Sequence, residues 1–202
     1  IPIALNAVDP SRILLGLDGL YESADGSGGD NITPVMDPPN GGQRITALAY
    51  GGRGKLNATG VIYVARGNQI AVRLPDGTFL SVPLPGGVAI TDITIDPQDW
   101  RTAFAADASH VWLLRVAEDA TSTNTFTPPT DITGNLSKLS GGFRAVEVQA
   151  DGNRLVLLAG TQDGVYRAFF YDKLALLAAP AAAAAPSWTQ FGTNLPRVSV
   201  GD

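Results

Sequence analysis

An all-β chain assembled from repeated four-stranded units is the fold class this sequence predicts, and three observations predict it. Its 23 Gly and 14 Pro are spread along 202 residues rather than clustered, which suits many short strands parted by turns better than a few long helices. Short apolar runs alternate with turn-forming residues from one end to the other. The runs also recur in groups of four, with a period of roughly 40 to 50 residues.

The first unit has runs at Ile3 to Val8, Arg12 to Leu17, Leu20 to Ser23 and Ile32 to Met36. Pro10 falls in the turn Asp9-Pro10-Ser11, where its missing N–H costs nothing, and Asp18-Gly19 supplies the positive φ of a tight hairpin. The second unit repeats this with Arg44 to Tyr50, Val61 to Ala65, Gln69 to Leu74 and Phe79 to Val82. VIYVA and QIAVRL, on either side of Arg66-Gly67-Asn68, are the clearest hairpin of the chain. The third unit runs Ala89 to Ile95, Thr102 to Ala106 and Val111 to Val116, then a polar loop at Glu118 to Asn124 and a last run near Thr130 to Thr133.

The fourth unit is the best preserved: Phe143 to Val148, Leu155 to Ala159, Val165 to Tyr171, and a last run around Trp188 and Phe191. Between its third and fourth runs lies LALLAAPAAAAAP, Leu174 to Pro186. Alanine favours helix there, but Pro180 and Pro186 leave room for about a turn and a half. The segment reads as an insertion at the outer edge of the unit. First runs end at Val8, Tyr50, Ile95 and Val148, spaced 42, 45 and 53 residues apart. Four strands per such period are the signature of propeller blades. The blades fall at 1–42, 43–87, 88–142 and 143–196, with 197–202 as the first strand of a fifth.

Val8-Asp9-Pro10 recurs as Ile95-Asp96-Pro97, each followed shortly by an arginine, and TDITGNL at Thr130 recurs as TQFGTNL at Thr189. In ALNAVDP, LVLLAGT, GVYRA and SWTQFGTNLPRVSV the chain resembles bacterial β-propellers with BNR-type or sortilin-type repeats. ESADGSGGD, Glu22 to Asp30, resembles a degenerate Asp box, matching at Ser23, Asp25 and Gly26. The resemblance implies a ring of roughly six to eight blades. It also implies an extracellular or cell-surface location, and that the missing blades come from the rest of a larger protein or from a neighbouring chain. The opening Ile-Pro-Ile, with no initiator Met and no charged-then-apolar leader, is expected of a processed chain or of a piece of a longer one.

Chemistry is sparse. A formal charge of −5 with scattered Lys and Arg offers no basic face, so nucleic acid is not an expected partner. The absence of Cys removes disulfides, thiolate zinc sites and thiol nucleophiles. No apolar stretch approaches the roughly 20 residues of a transmembrane helix. The single histidine, His110, reads as a turn residue. Asp25, Ser27 and Asp30 offer hard oxygens to calcium, but the loop lacks the alternate-position acids and distal Glu of a full calcium loop, so it reads as a flexible turn and no cofactor is required. Trp100, Trp112 and Trp188 are the binding candidates. Exposed together they would make a sugar-stacking platform, yet their different places in the period point to core and rim packing.

These readings converge on a non-catalytic binding or scaffolding module of a larger exported or surface-associated bacterial protein. Loops at Gly51 to Gly60, Glu118 to Pro129 and Leu174 to Pro186 would present a surface to a protein or carbohydrate partner. Two alternatives stay open. One is the propeller part of a glycoside hydrolase, sialidase-like or xyloglucanase-like, using carboxylates roughly 5 to 10 Å apart. The other is an assembly subunit that completes its ring with blades from another chain.

Overall fold

Residues 1–25, 31–37, 43–121, 124–178, 186–192 and 194–201 are described by a computed structural model of the chain. Among them sixteen strands form four antiparallel four-stranded sheets, each in chain order. Blade 1 contains β1 (Ile3–Leu5), β2 (Ile13–Gly16), β3 (Leu20–Ser23) and β4 (Ile32–Met36). Blade 2 contains β5 (Ile45–Gly52), β6 (Ala58–Arg66), β7 (Gln69–Arg73) and β8 (Phe79–Pro83). Blade 3 contains β9 (Ile90–Ile95), β10 (Thr102–Asp107), β11 (Val111–Thr121) and β12 (Asn124–Asp131), followed by the short helix α1 (Leu136–Leu139). Blade 4 contains β13 (Ala145–Asp151), β14 (Arg154–Thr161), β15 (Gly164–Phe170), the helix α2 (Lys173–Ala178) and β16 (Trp188–Gln190).

The strands form where β-branched and aromatic residues alternate, and the alternation decides which neighbour each face meets. In β13, Val146, Val148 and Ala150 are buried against blade 3, while Glu147, Gln149 and Asp151 point the other way and are exposed. Three apolar clusters fill the three seams. Leu14 and Leu20 meet Ile62 and Val64 between blades 1 and 2, and Tyr63 and Val72 meet Trp112 and Leu114 between blades 2 and 3. Phe104 and Leu113 meet Leu157 and Trp188 between blades 3 and 4. All six residues of β10 are buried, because its sheet is covered on both faces. The first strands of successive blades contact one another, β1 to β5, β5 to β9 and β9 to β13, so each blade turns its first strand towards a common axis.

One hydrogen bond repeats at every step. The strand entering a blade donates to a carbonyl in the hairpin between the second and third strands of the previous blade: Ile45 N to Leu17 O (3.2 Å), Ile90 N to Gly67 O (2.8 Å) and Phe143 N to Ala108 O (3.2 Å). Val200 N makes the same bond to Thr161 O, at 2.8 Å. The close approach requires glycine. A Cβ on Gly16 would lie 2.7 Å from Ile45 Cγ2, and one on Gly160 would lie 3.0 Å from the Val200 carbonyl oxygen. Residues 197–201 have no sheet ladder, so the expected fifth-blade strand is present only as this entry contact.

Two of the expected loops are largely strand. In Glu118 to Pro129, β11 and β12 extend past β10 and pair as far as Thr121 with Asn124, and 122 and 123 lie outside the described residues. Gly51 to Gly60 shrinks to 53–57 between β5 and β6. In the alanine-rich insertion α2 occupies six residues before Pro180, and 179–185 lie outside the described residues.

Candidate functional site

The ends of the four first strands enclose a cleft of about 340 Å³ at one end of the axis, lined by Ala7 of blade 1, Tyr50 and Arg53 of blade 2, Thr94 and Asp96 of blade 3, and Glu147 and Gln149 of blade 4. The Val-Asp-Pro-type turn builds it from blade 1. Asn6 Oδ1 accepts from Val8 N (2.9 Å) and Asp9 N (3.0 Å), while Asn6 Nδ2 donates to Thr59 O (2.7 Å). Gly51 passes beneath with φ of +84°, where a Cβ would lie 2.3 Å from Asn6 Oδ1. Arg53 closes the rim by donating from Nε and Nη2 to the Ala7 carbonyl, at 2.9 and 2.7 Å.

Two carboxylates reach this cleft. Asp96 is fully buried, accepts from Gln98 N at 2.8 Å through Oδ1, and holds the Lys173 ammonium of blade 4 against Oδ2. Glu147 accepts a long bond from Thr94 Oγ1 at 3.5 Å. No tryptophan lines the cleft among the described residues.

A denser charge cluster lies in the seam between blades 1 and 2, built on Glu22 of β3. Its Oε1 accepts from Arg12 Nη2 (2.5 Å), Arg73 Nη2 (3.2 Å) and the Tyr50 hydroxyl, and its Oε2 accepts from Arg73 Nη1 (3.1 Å). Arg12 Nε also donates to Tyr50 Oη at 2.9 Å, so the four groups form one network. Burial alone would raise the Glu22 carboxyl, but the bonds from Arg73, Tyr50 and Arg12 outweigh it and hold it at about 2 instead of 4.5. Burial, followed by the bond to Glu22, pushes the Tyr50 hydroxyl up. The residue types are those of a sialidase site, a Tyr–Glu pair with two arginines. Their side chains are only 9% (Glu22), 12% (Arg73) and 22% (Arg12) exposed, in a seam rather than an open funnel. Arg44, Arg66 and Arg115 bond elsewhere: to the Asp18 carboxylate, the Asp18 carbonyl and the Leu177 carbonyl.

Several other acids cap turns. Asp107, fully buried, accepts from the backbone N–H of Ser109 (2.7 Å) and His110 (2.8 Å) and from Trp112 Nε1 (2.9 Å), with His110 Nδ1 at 3.2 Å. His110 is therefore part of a turn anchor, its ring 5.1 Å from the Trp112 ring. Asp9, Asp76, Asp99 and Asp131 each accept a backbone N–H two residues ahead.

The three tryptophans are buried and do not share a face. Trp100 and Trp112 sit in the seam between blades 2 and 3, Trp100 under the Arg101 guanidinium at 4.6 Å and against Gly52. Trp188 lies in the seam between blades 3 and 4, where Asn135 clamps its backbone through bonds of 2.7 and 3.0 Å. That clamp gives the Asn of the TDITGNL motif its structural task. Of the calcium candidates, Asp25 accepts from Asn31 Nδ2 at 2.6 Å, and Ser27 and Asp30 lie outside the described residues. Among the described residues no group of three or more acidic or His side chains is placed to hold a metal. The Glu22 network escaped the sequence reading. Its one sequence signal is the arginine shortly after the Asp-Pro turn, and nothing local points from Arg12 to Arg73, 61 residues further on.

No protein-family model matches the chain, and no curated protein matches it. Solved structures do. The β-propeller domain of Cps50 (Swd1) from Myceliophteria thermophila superposes with a TM-score of 0.62 at 13% identity, covering 98% of this chain and 56% of that one. The Dos1 propeller matches with a TM-score of 0.62 at 12% identity, covering 98% and 50%, and YCF48 from Cyanidioschyzon merolae with 0.52 at 13%, covering 96% and 56%. The chain thus spans about half the length of the propellers it resembles. Identity this low speaks for the fold alone: the chain folds as a four-bladed arc of a β-propeller.

Proposed function

We propose that this chain is a non-catalytic scaffold segment, part of the propeller of a larger exported or surface-associated protein, and that it holds a protein partner on its loops and hairpins. One observation carries the reading. The buried charged side chains are committed to holding blades and turns together: Glu22 with Arg12 and Arg73, Asp96 with Lys173, and Asp107 with Trp112. A catalytic carboxylate pair needs one group left to donate a proton and another left to accept one. Here Asp96 is neutralised by a lysine, and Glu22 is held ionised by two arginines. The Swd1 and Dos1 propellers superpose here, as does a chain of polycomb repressive complex 2, which is by its name part of a complex. That agrees with a protein partner.

The glycoside-hydrolase alternative rests on Asp96 and Glu147 in the axial cleft. The test is hydrolysis of a panel of p-nitrophenyl glycosides by the native chain and by Glu147→Gln. Turnover by both at the same background rate is expected. Turnover above background that Glu147→Gln removes would overturn the scaffold reading.

A further inference from the structure

The flank of blade 4 that faces away from blade 3 repeats the layout of the face that blade 1 turns to blade 2, with Glu147 in place of Ala4 and Arg167 in place of Glu22. Blade 1 and blade 4 can be aligned through the entry bond: Gly160 stands where Gly16 stands, and Val200 crosses it as Ile45 crosses Gly16. Counting along the ladders from those glycines, Leu14 paired with Glu22 in blade 1 corresponds to Leu158 paired with Arg167 in blade 4. Glu22 points across its seam and is held by two groups of the next blade, Arg73 and Tyr50. Arg167 points the same way, with its guanidinium over the Phe169 ring at 5.1 Å and the Phe191 ring at 5.5 Å. Its Nε is buried with no hydrogen-bond partner among the described residues. Around it the flank is open: Phe169 is 42% and Val198 52% exposed, and Val156, Phe169 and Tyr171 share the border of a hollow of about 240 Å³ with Gln149, Asp151 and Arg154.

We propose that this flank seats a further four-stranded blade, entered along the strand direction set by Val200, whose facing strand presents a carboxylate to Arg167. The polarity of the blade 1 to blade 2 seam is thereby reversed. An apolar sheet face of ordinary propeller type satisfies the two phenylalanines. The half-buried guanidinium requires an anionic oxygen, because a cation sealed in a seam without one is strongly penalised. A second copy that continues the arc through its blade 1 flank does not supply that oxygen, because that flank presents Ile3, Leu5, Ile13, Leu15 and Tyr21, with no carboxylate among them. A copy docked through its own blade 4 flank would bring Glu147 and Asp151, and is the outcome that the dimer measurement below detects. The inference rests on the scaffold reading, but its test reads seam pairing and not catalysis.

Blade 2 provides the probe. Residues 46–87 are appended after Val200, so that Val200 takes the place of Ile45 and the appended copy of Arg73 faces Arg167. Three chains are compared: the appended blade as it stands, with Arg73→Glu in the appended copy, and with Arg167→Glu in blade 4. The first sets two cations against each other. The other two pair opposite charges, the last by restoring the arrangement of the first seam. Both charge-matched chains are expected to slow amide exchange at Arg167 and Phe169 at least about tenfold relative to the native chain, and to melt several degrees higher than the mismatched one. The proposal is overturned if protection is the same whatever the charges, if neither matched chain gains protection, or if the native chain buries this flank in a dimer, seen by light scattering and by protection of Phe169. Glycosidase turnover would sink the scaffold reading and leave the seam comparison intact.

Discussion

Replacing Glu22 by Gln keeps the shape of the side chain and removes its charge, leaving Arg12 and Arg73 together in the first seam. The fall of the Glu22 carboxyl from 4.5 to about 2 is worth roughly 3 kcal/mol at about 1.4 kcal/mol per unit, reduced to about 2 kcal/mol by the solvent that reaches Arg12. For a domain of this size that is a drop in Tm of about 4 to 8 °C. The sign follows from linkage. A carboxyl whose folded pKa is depressed contributes its full stabilisation above the unfolded value of 4.5, and that contribution disappears as pH falls through the folded value near 2. Urea denaturation of native and Glu22→Gln chains, at a series of pH values from 7 to 2, measures the difference directly. The two should differ by about 2 kcal/mol at pH 7 and converge between pH 4.5 and 2. A constant difference across that window, or one below about 0.5 kcal/mol at neutral pH, would refute the claim that the network clamps the blades.

Other seams give sharper contrasts. Lys173→Met leaves the buried Asp96 carboxylate uncompensated and should cost about 3 to 5 kcal/mol, much of it recovered by adding Asp96→Asn, as a double-mutant cycle in urea would report. Asp107→Ala removes the acceptor for two backbone N–H groups and for the Trp112 indole. A loss of about 2 to 3 kcal/mol is expected, with a shift in tryptophan emission, and unchanged emission would show that the indole needs no such anchor. Gly52→Ala forces a Cβ to within 2.5 Å of the Trp100 Cβ and should destabilise by about 1 to 3 kcal/mol, read as an earlier thermal transition.

The repeat was legible because every blade buries at least one face of its sheet, and blades 2 and 3 bury both. Apolar residues therefore recur along the strands, and turns fall between them at Asp18-Gly19, Arg66-Gly67-Asn68 and Asp96-Pro97, where the structure has them. Leu174 to Pro186 reads as an inserted loop in which Pro180 leaves room for about a turn and a half of helix, and α2 at Lys173–Ala178 fits that room. The hairpin formed by β11 and β12 was not. A ribbon that extends past the neighbouring strand has no core to alternate against, so Glu118 to Asn124 reads as a loop although Thr121 pairs with Asn124. The charge networks were invisible for a different reason: Arg12, Glu22, Tyr50 and Arg73 meet only because successive sheets stack, and no spacing within one repeat encodes a contact between two. The tryptophans drew notice as binding residues because size and aromaticity suit a platform. The same properties fill seams, which is where all three lie.

The central claim is that the four sheets are stacked blades joined by one recurring contact. Trans-hydrogen-bond NMR couplings between the amide nitrogen and the acceptor carbonyl carbon test it most directly. Measurable couplings are predicted for Ile45 with Leu17, Ile90 with Gly67, Phe143 with Ala108 and Val200 with Thr161. Their absence at the first three steps, in a chain whose strand ladders within each sheet do give couplings, would show that the sheets form but do not stack in this way.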